Sequence, residues 1–319
     1  VKGRVWILTA AASALALLAG GYIFWARQPG TAAGAPVTLD GLTYLSAGSG
    51  TANGKVTRGD GGSRTVSGLA CTRFYSAGGT GLCLRPEHGA VTRYHAIVLD
   101  RNLKERRRVE LPGAPSRARV SAGGHLAAWT VFVAGDSYLA SGLSTRTGIA
   151  DLRTGQVIAS LEELPLYRDG ARVTAVDVNY WGVTFAADED AFYVSVKTGD
   201  VVYLAKGSLR ARRMDILRGN AECPSLSPDG TRVAYKKRVR GGEAPWRFHV
   251  LDLASGRETP LAETASVDDQ IAWLDPDTLM YAKVRGDTSD VWSVPADGSG
   301  APRLLVKDAF SPAPPEDAP

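Results

Sequence analysis

Residues 223–262 read CPSLSPDGTRVAYKKRVRGGEAPWRFHVLDLASGRETPLA, and this stretch decides the fold. Ser227-Pro228-Asp229-Gly230 is a tight turn. The proline ring presets φ, the aspartate side chain bonds the backbone ahead of it, and glycine tolerates positive φ. Residues 231–237 (TRVAYKK) then alternate with period two, the signature of a half-buried strand. Residues 247–253 (RFHVLDL) form a second such strand, Ala254-Ser255-Gly256 the next turn, and RETPLA (257–262) an outer strand. Four strands joined by short turns make one antiparallel sheet. A sheet of this size cannot bury both faces alone, so it needs copies of itself as neighbours.

The copies are present in worn form. The first strand–turn–strand part recurs as FYSAGGTGLCL (74–84), RVSAGGHLAAW (119–129), TFAADEDAFYVSV (184–196) and AWLDPDTLMYAKV (272–284). The second turn recurs as RGDGGS (58–63), LDRNLK (99–104), ADLRTG (150–155), LAKGSL (204–209), LDLASG (251–256) and VPADGSG (294–300). Anchored on Asp60, Asp100, Asp151, Lys206, Asp252 and Asp297, the steps are 40, 51, 55, 46 and 45 residues. That spacing fits four-stranded propeller blades. A β-sandwich with regular hairpins is the alternative, and turns repeated in the same order favour the propeller.

Six second turns stand against five first turns, and the tail can supply the missing piece. Ser311–Ala318 (SPAPPEDA) aligns without a gap on CPSLSPDG, while the first repeat begins at what is the second strand of a blade. The tail is therefore expected to add the innermost strand of blade one and close the ring. Proline-rich disorder is the competing reading, since four of the last nine residues are Pro.

SPDG, an alternating strand and a D-L-x-x-G turn together resemble the TolB-like propeller repeat, also called the WD-like or PD-type repeat. The match is specific in 221–262, good in 268–306 and weak before 220. The resemblance implies an all-β, six-bladed β-propeller. TolB is an extracytoplasmic protein that binds partner proteins, and similar propellers cap prolyl-oligopeptidase-type hydrolases, so fold does not settle function.

Lys2 and Arg4 precede an uncharged run of 22 residues, Val5 to Ala26, with Tyr22, Phe24 and Trp25 at its outer end. At about 1.5 Å per residue such a run spans a bilayer core of about 30 Å. The positive flank predicts an N-inside topology with the body extracytoplasmic. A cleaved signal peptide, with Ala33-Gly34-Ala35 as its site, is the rival; the run is longer than a usual signal core, which favours an uncleaved transmembrane anchor. The expected domains are thus 1–26 anchor or signal segment, 27–39 linker and 40–319 propeller. Val1 is what a non-ATG start codon read literally gives, which points to a bacterial source.

Export fits the cysteines. Cys71 and Cys83 are equidistant from Ala77, so a hairpin there sets them opposite each other, and a disulfide is expected in an oxidising compartment. Two buried free thiols are the alternative. Cys223, on the inner strand of the opposite blade, is expected to be a buried free thiol.

No catalytic motif is present. Gly135-Asp136-Ser137-Tyr138-Leu139 lacks the second glycine of a nucleophile elbow. His88, His95, His125 and His249 are scattered rather than spaced as metal ligands. GSGTANGK and RGDGGSR lack the Lys-Ser/Thr ending of a phosphate loop. Arg58–Asp60 and Arg285–Asp287 both read RGD, which turn chemistry explains. No cofactor and no metal is expected. The acidic clusters Asp188-Glu189-Asp190 and Asp268-Asp269 carry the alternative, a metal-dependent lactonase or dehydrogenase in the channel.

The net charge is +4, carried by runs such as 104–108, 210–213 and 236–238. Charged outer strands block edge-to-edge pairing. Nucleic acid is not an expected partner. Tight turns are expected on one face of the disc and long connections on the other: 133–147, 238–246 and 164–172. These carry Tyr138, Tyr167, Arg238, Arg240 and Trp246, residue types favoured in interface hot spots. The expected function is a non-catalytic binding module for a protein or envelope component.

Overall fold

The computed structural model describes residues 36–48, 50–59, 62–133, 144–239 and 245–315. The expected N-terminal anchor, Tyr138 and Arg240 lie outside them. The described chain is all-β, a ring of six antiparallel blades. Blade one holds β1 (Thr43–Ser46), β2 (Lys55–Arg58) and β3 (Thr65–Ala70). Blade two is β4 (Arg73–Ala77), β5 (Thr80–Glu87), β6 (Arg93–Leu99) and β7 (Glu105–Leu111). Blade three is β8 (Ala114–Val120), β9 (Leu126–Val133), β10 (Ser144–Asp151) and β11 (Val157–Ile158). A capped single 3-10 turn, Leu161–Glu163, and a small hairpin of β12 (Leu166–Arg168) and β13 (Ala171–Arg172) follow.

Blade four is β14 (Asn179–Phe185), β15 (Ala191–Thr198), β16 (Val201–Ser208) and β17 (Arg213–Gly219). Blade five is β18 (Glu222–Leu226), β19 (Arg232–Arg238), β20 (Trp246–Asp252) and β21 (Glu258–Pro260). Blade six is β22 (Ala272–Trp273), β23 (Thr278–Arg285), β24 (Thr288–Pro295) and β25 (Arg303–Val306). The last strand, β26 (Ala309–Ala313), pairs antiparallel with β1 and completes blade one.

The alternation in residues 231–237 has a direct structural meaning. Val233 and Tyr235 enter the core between blades four and five, while Ala234 enters the core between blades five and six. Such a strand is buried on both faces. The remaining interfaces are built the same way, giving six separate apolar clusters, one for each pair of neighbouring blades.

The tail's alignment on blade five holds at the level of backbone geometry. Ser311 and Cys223 both adopt positive φ, +49° and +51°, each followed by proline. Bulges interrupt the pairing there: β18 shifts between Glu222 and Ser225, and β1 shifts against β26 between Thr43 and Leu45. A bulge bends the inner strand and frees a backbone N–H from the ladder, which is how proline is tolerated.

Three details depart from the sequence reading. The second turn of blade four is not at 204–209: Lys206 lies inside β16, paired with Tyr193 and Asp215, and the chain turns at 209–212. That turn uses no Asp or Gly of its own. Asp190 accepts from the Arg210 N–H at 2.7 Å and Ser208 Oγ from the Ala211 N–H at 3.0 Å. Second, the link into blade four is not a plain loop, because β12 pairs parallel with β17 and extends that sheet to six strands. Third, the end of the expected linker packs on the propeller: Val37 and Leu39 are buried, and Leu39 N–H donates to Arg101 O.

Cys71 and Cys83 are joined in a disulfide with Cα atoms 5.5 Å apart. They are not mirror partners of the hairpin, for Cys83 pairs with Phe74. Cys71 lies before β4 and donates its N–H to Gly54 O, so the bridge ties the crossover from blade one to the second strand of blade two.

Candidate functional site

The inner strands β26, β4, β8, β14, β18 and β22 converge on the axis. The tight turns that follow β4, β8, β14, β18 and β22 gather at one end of the disc, the turn end; the β5–β6, β9–β10 and β19–β20 connections gather at the other, the loop end. That end is not uniformly long-looped. The β15–β16 and β23–β24 connections are two-residue turns at 199–200 and 286–287.

The channel is bridged rather than open. Arg119 on blade three donates to Ile271 O beside blade six at 3.1 Å. Arg117 reaches Asp268 at 3.5 Å, and Gln270 donates to Val183 O of blade four at 3.2 Å. These cross-channel contacts divide the axis into two mouths.

At the loop-end mouth, the β19–β20 ladder sets Arg238 opposite Trp246. The Arg238 guanidinium lies 4.4 Å from the Trp246 ring centre and Lys236 Nζ lies 4.6 Å from it. Trp246 N–H donates to Ser266 Oγ at 3.1 Å. Lys236 is 2% exposed and forms an ion pair with Asp268, which also receives Arg117. Nearby Glu222 is buried, and desolvation pushes its carboxyl up against the opposing pull of Lys236 and Arg238. A partly buried indole held by two cations is therefore continuous with a charged network running into the channel.

Among the described residues eight large apolar side chains are exposed: Val91, Phe132, Val157, Val176, Val201, Leu217, Val284 and Leu304. Val91, Phe132, Val201 and Val284 lie at or beside the β5–β6, β9–β10, β15–β16 and β23–β24 connections. Val176 precedes Asp177, which accepts from Gly199 N–H in the β15–β16 turn. Five of the eight thus collect at the loop end.

Of the sequence-derived residues, the structure brings Arg238 and Trp246 together. Tyr167 is not with them. It lies on β12 beside Asp215, under the Arg213 guanidinium at 4.2 Å, at the end of blade four where the β16–β17 turn begins. The β12–β13 hairpin docks on the outer edge and carries Tyr167 to the opposite end of the blade.

The acidic clusters serve turns and ion pairs. Asp188 accepts from the N–H groups of Asp190 and Ala191, Glu189 receives Ser121, His125 and Arg153, and Asp269 accepts from Ala282 N–H. Among the described residues no group of three His, Cys, Asp or Glu is placed to hold a metal ion. Cys223 is free and buried on β18, its N–H bonded to Ser195 Oγ at 2.7 Å.

Sequence reasoning missed Arg119 and Tyr75. The guanidinium stacks 4.3 Å from the Tyr75 ring at the turn-end mouth. The available signal was a charged residue within RARV, on a strand whose neighbours are apolar.

No family model matches the chain, and no curated protein matches it. Solved structures do. TolB from Acinetobacter baumannii is 17% identical, with a TM-score of 0.59 over 86% of this chain and 67% of that one. A puromycin-hydrolyzing peptidase from Mycobacterium tuberculosis is 14% identical, with a TM-score of 0.53 over 91% of this chain. The chain spans only 48% of that peptidase. A protein described as TolB from Agrobacterium tumefaciens is 11% identical, with a TM-score of 0.50 over 80% of this chain and 91% of that one. The fold is that of a TolB-like six-bladed propeller, and at these identities the likeness extends to the fold alone.

Proposed function

We propose that this propeller is a non-catalytic binding module, anchored in a membrane by its N-terminal apolar run, whose loop end docks a protein or envelope component outside the cytoplasm. The observation that carries this reading is that five exposed apolar side chains lie at one end of the disc, the end that also carries a Trp246 indole gripped by Lys236 and Arg238. Exposed apolar side chains rimmed by charge mark interaction surfaces, and Trp and Arg are the residue types that dominate their energetics. The Cys71–Cys83 bridge and the run from Val5 to Ala26 support the extracytoplasmic placement.

The test is affinity purification of the full-length tagged chain from membranes of its own host, after crosslinking. Trp246→Ala with Arg238→Ala is run alongside. A near-stoichiometric envelope protein recovered with the native chain, and reduced at least about tenfold with the double variant, supports the docking face; truncating a hot-spot pair costs about 2 kcal/mol or more. Equal recovery by both chains removes this face as the interface.

A further inference from the structure

At the turn end the channel opens into a cavity of about 160 Å³. Its lining includes Tyr75, Phe185, Leu226, Trp273 and Pro315, with Arg119 as the one charged side chain among its lining residues. Two hydroxyl groups on this lining are committed to the protein: Thr184 Oγ1 accepts from Leu226 N–H, and Ser227 Oγ binds Asp229. Trp273 Nε1 donates to Ser225 O at 2.9 Å.

Arg119 is the channel cation that reaches this cavity. It is 5% exposed. Its guanidinium has one hydrogen bond, to Ile271 O, and one ring contact, to Tyr75, and its buried Nε has no partner. Arg117, two residues earlier, pairs with Asp268, whereas Arg119 pairs with no described carboxylate. A buried cation without a counter-charge is costly. Guanidinium is a planar fork of donors that matches a carboxylate. The surrounding aromatic and proline walls suit an apolar body. A dry cavity of about 150 Å³ holds a molecule the size of benzene.

We propose that this mouth is a binding site for a monocarboxylate with a compact apolar body, the carboxylate meeting Arg119 and the body resting among Tyr75, Phe185 and Trp273. The site lies at the opposite end of the channel from Trp246 and stands independently of the docking face. Such a carboxylate comes from a free organic acid or from the C-terminal residue of a peptide.

Calorimetric titration of the full-length chain separates these. The probes are benzoate against benzamide, and acetyl-Ala-Leu against its C-terminal amide. Saturable binding of an acid, at least tenfold tighter than its amide, supports the site. Benzoate binding identifies free acids as the source, and binding by the peptide acid alone identifies a chain end. Arg119→Gln is expected to abolish the preference for acid over amide. Ala187 is an exposed lining residue, so Ala187→Trp narrows the mouth without entering the core, and it is expected to weaken acid binding at least tenfold even where Arg119→Gln fails to fold. Equal binding of acid and amide, no saturable binding of either acid, or unchanged affinity in Ala187→Trp overturns the proposal.

Discussion

Glu263 is 4% exposed, and its carboxylate accepts from Tyr281 Oη at 2.6 Å, Lys283 Nζ at 2.9 Å and Ala265 N–H at 2.8 Å. Burial alone raises a carboxyl pKa, but here the three donors outweigh it and hold Glu263 below the ordinary glutamate value. Burial and the same carboxylate push the Tyr281 hydroxyl up. Because the folded pKa is depressed, the stabilisation is complete above the unfolded value of about 4.3 and is lost as pH falls through the folded value. Glu263→Gln is therefore expected to lower the unfolding free energy by about 2 kcal/mol at neutral pH, a figure reduced for the partial exposure of Lys283. Urea titrations at several pH values check it: the gap between native and variant should narrow as pH falls from about 5 towards 3. A gap that is constant with pH would mean that packing rather than charge holds Glu263. Blade five repeats the grouping, with Lys237 and Arg218 on Glu258 at 2.5 and 2.7 Å and the Tyr235 hydroxyl bonded to it. The shared sequence signal is Tyr-x-Lys on β19 and β23.

Gly207, at the scale of an element, explains why one turn was misplaced. The segment LAKGSL has the glycine of a turn, but Gly207 pairs with Phe192 across the β15–β16 ladder, and a Cβ there would meet the Phe192 ring. The glycine makes room for an aromatic side chain instead of reversing the chain. Gly148 opposite Trp129 is the same device, where a Cβ would come within 2.7 Å of the indole. Gly207→Ala should destabilise by about 1–3 kcal/mol, as overpacking of a tight core does. Phe192→Ala alone opens a cavity, and the double variant should cost less than the sum of the two; a double-mutant cycle by chemical denaturation measures that coupling. Additive costs would separate the two residues. The same logic bounds what was readable. Turns written in Ser, Pro, Asp and Gly were legible in blades two, five and six because their chemistry is local. The β16–β17 turn was not, since its hydrogen bonds come from Asp190 and Ser208, outside the four turn residues. The β12–β13 hairpin was hidden because it gains its place from β17, some fifty residues on. Trp246 and Arg238 were legible singly, as hot-spot residue types in the 238–246 connection, whereas the Arg119 cavity is assembled from five inner strands and the residues that follow β26, and has no local signature.

For the whole molecule, stability is spread over six interfaces rather than one core, so it depends on the ring being closed. The closing strand touches two of them: Ala309 belongs to the cluster between blades six and one, and Phe310 packs on the cluster between blades one and two. Its pairing covers the edge of β1 through Thr43–Ala313, Leu45–Phe310 and Ser46–Ala309. Asp308, at the entry to the strand, accepts from Arg285 at 2.9 Å and donates its N–H to Asp290 at 2.9 Å. A chain cut after Asp308 therefore loses an inner strand, leaves β1 as an exposed edge and uncovers apolar surface at both interfaces, an opening that invites aggregation. It is expected to lose at least about 3 kcal/mol, a large part of the stability of a folded domain. A chain cut after Pro315 keeps β26 and should unfold at the native urea midpoint. Comparing the two by urea unfolding with tryptophan fluorescence separates closure from any effect of shortening. Equal midpoints for both cuts would mean that blades one and six hold together through their apolar cluster alone.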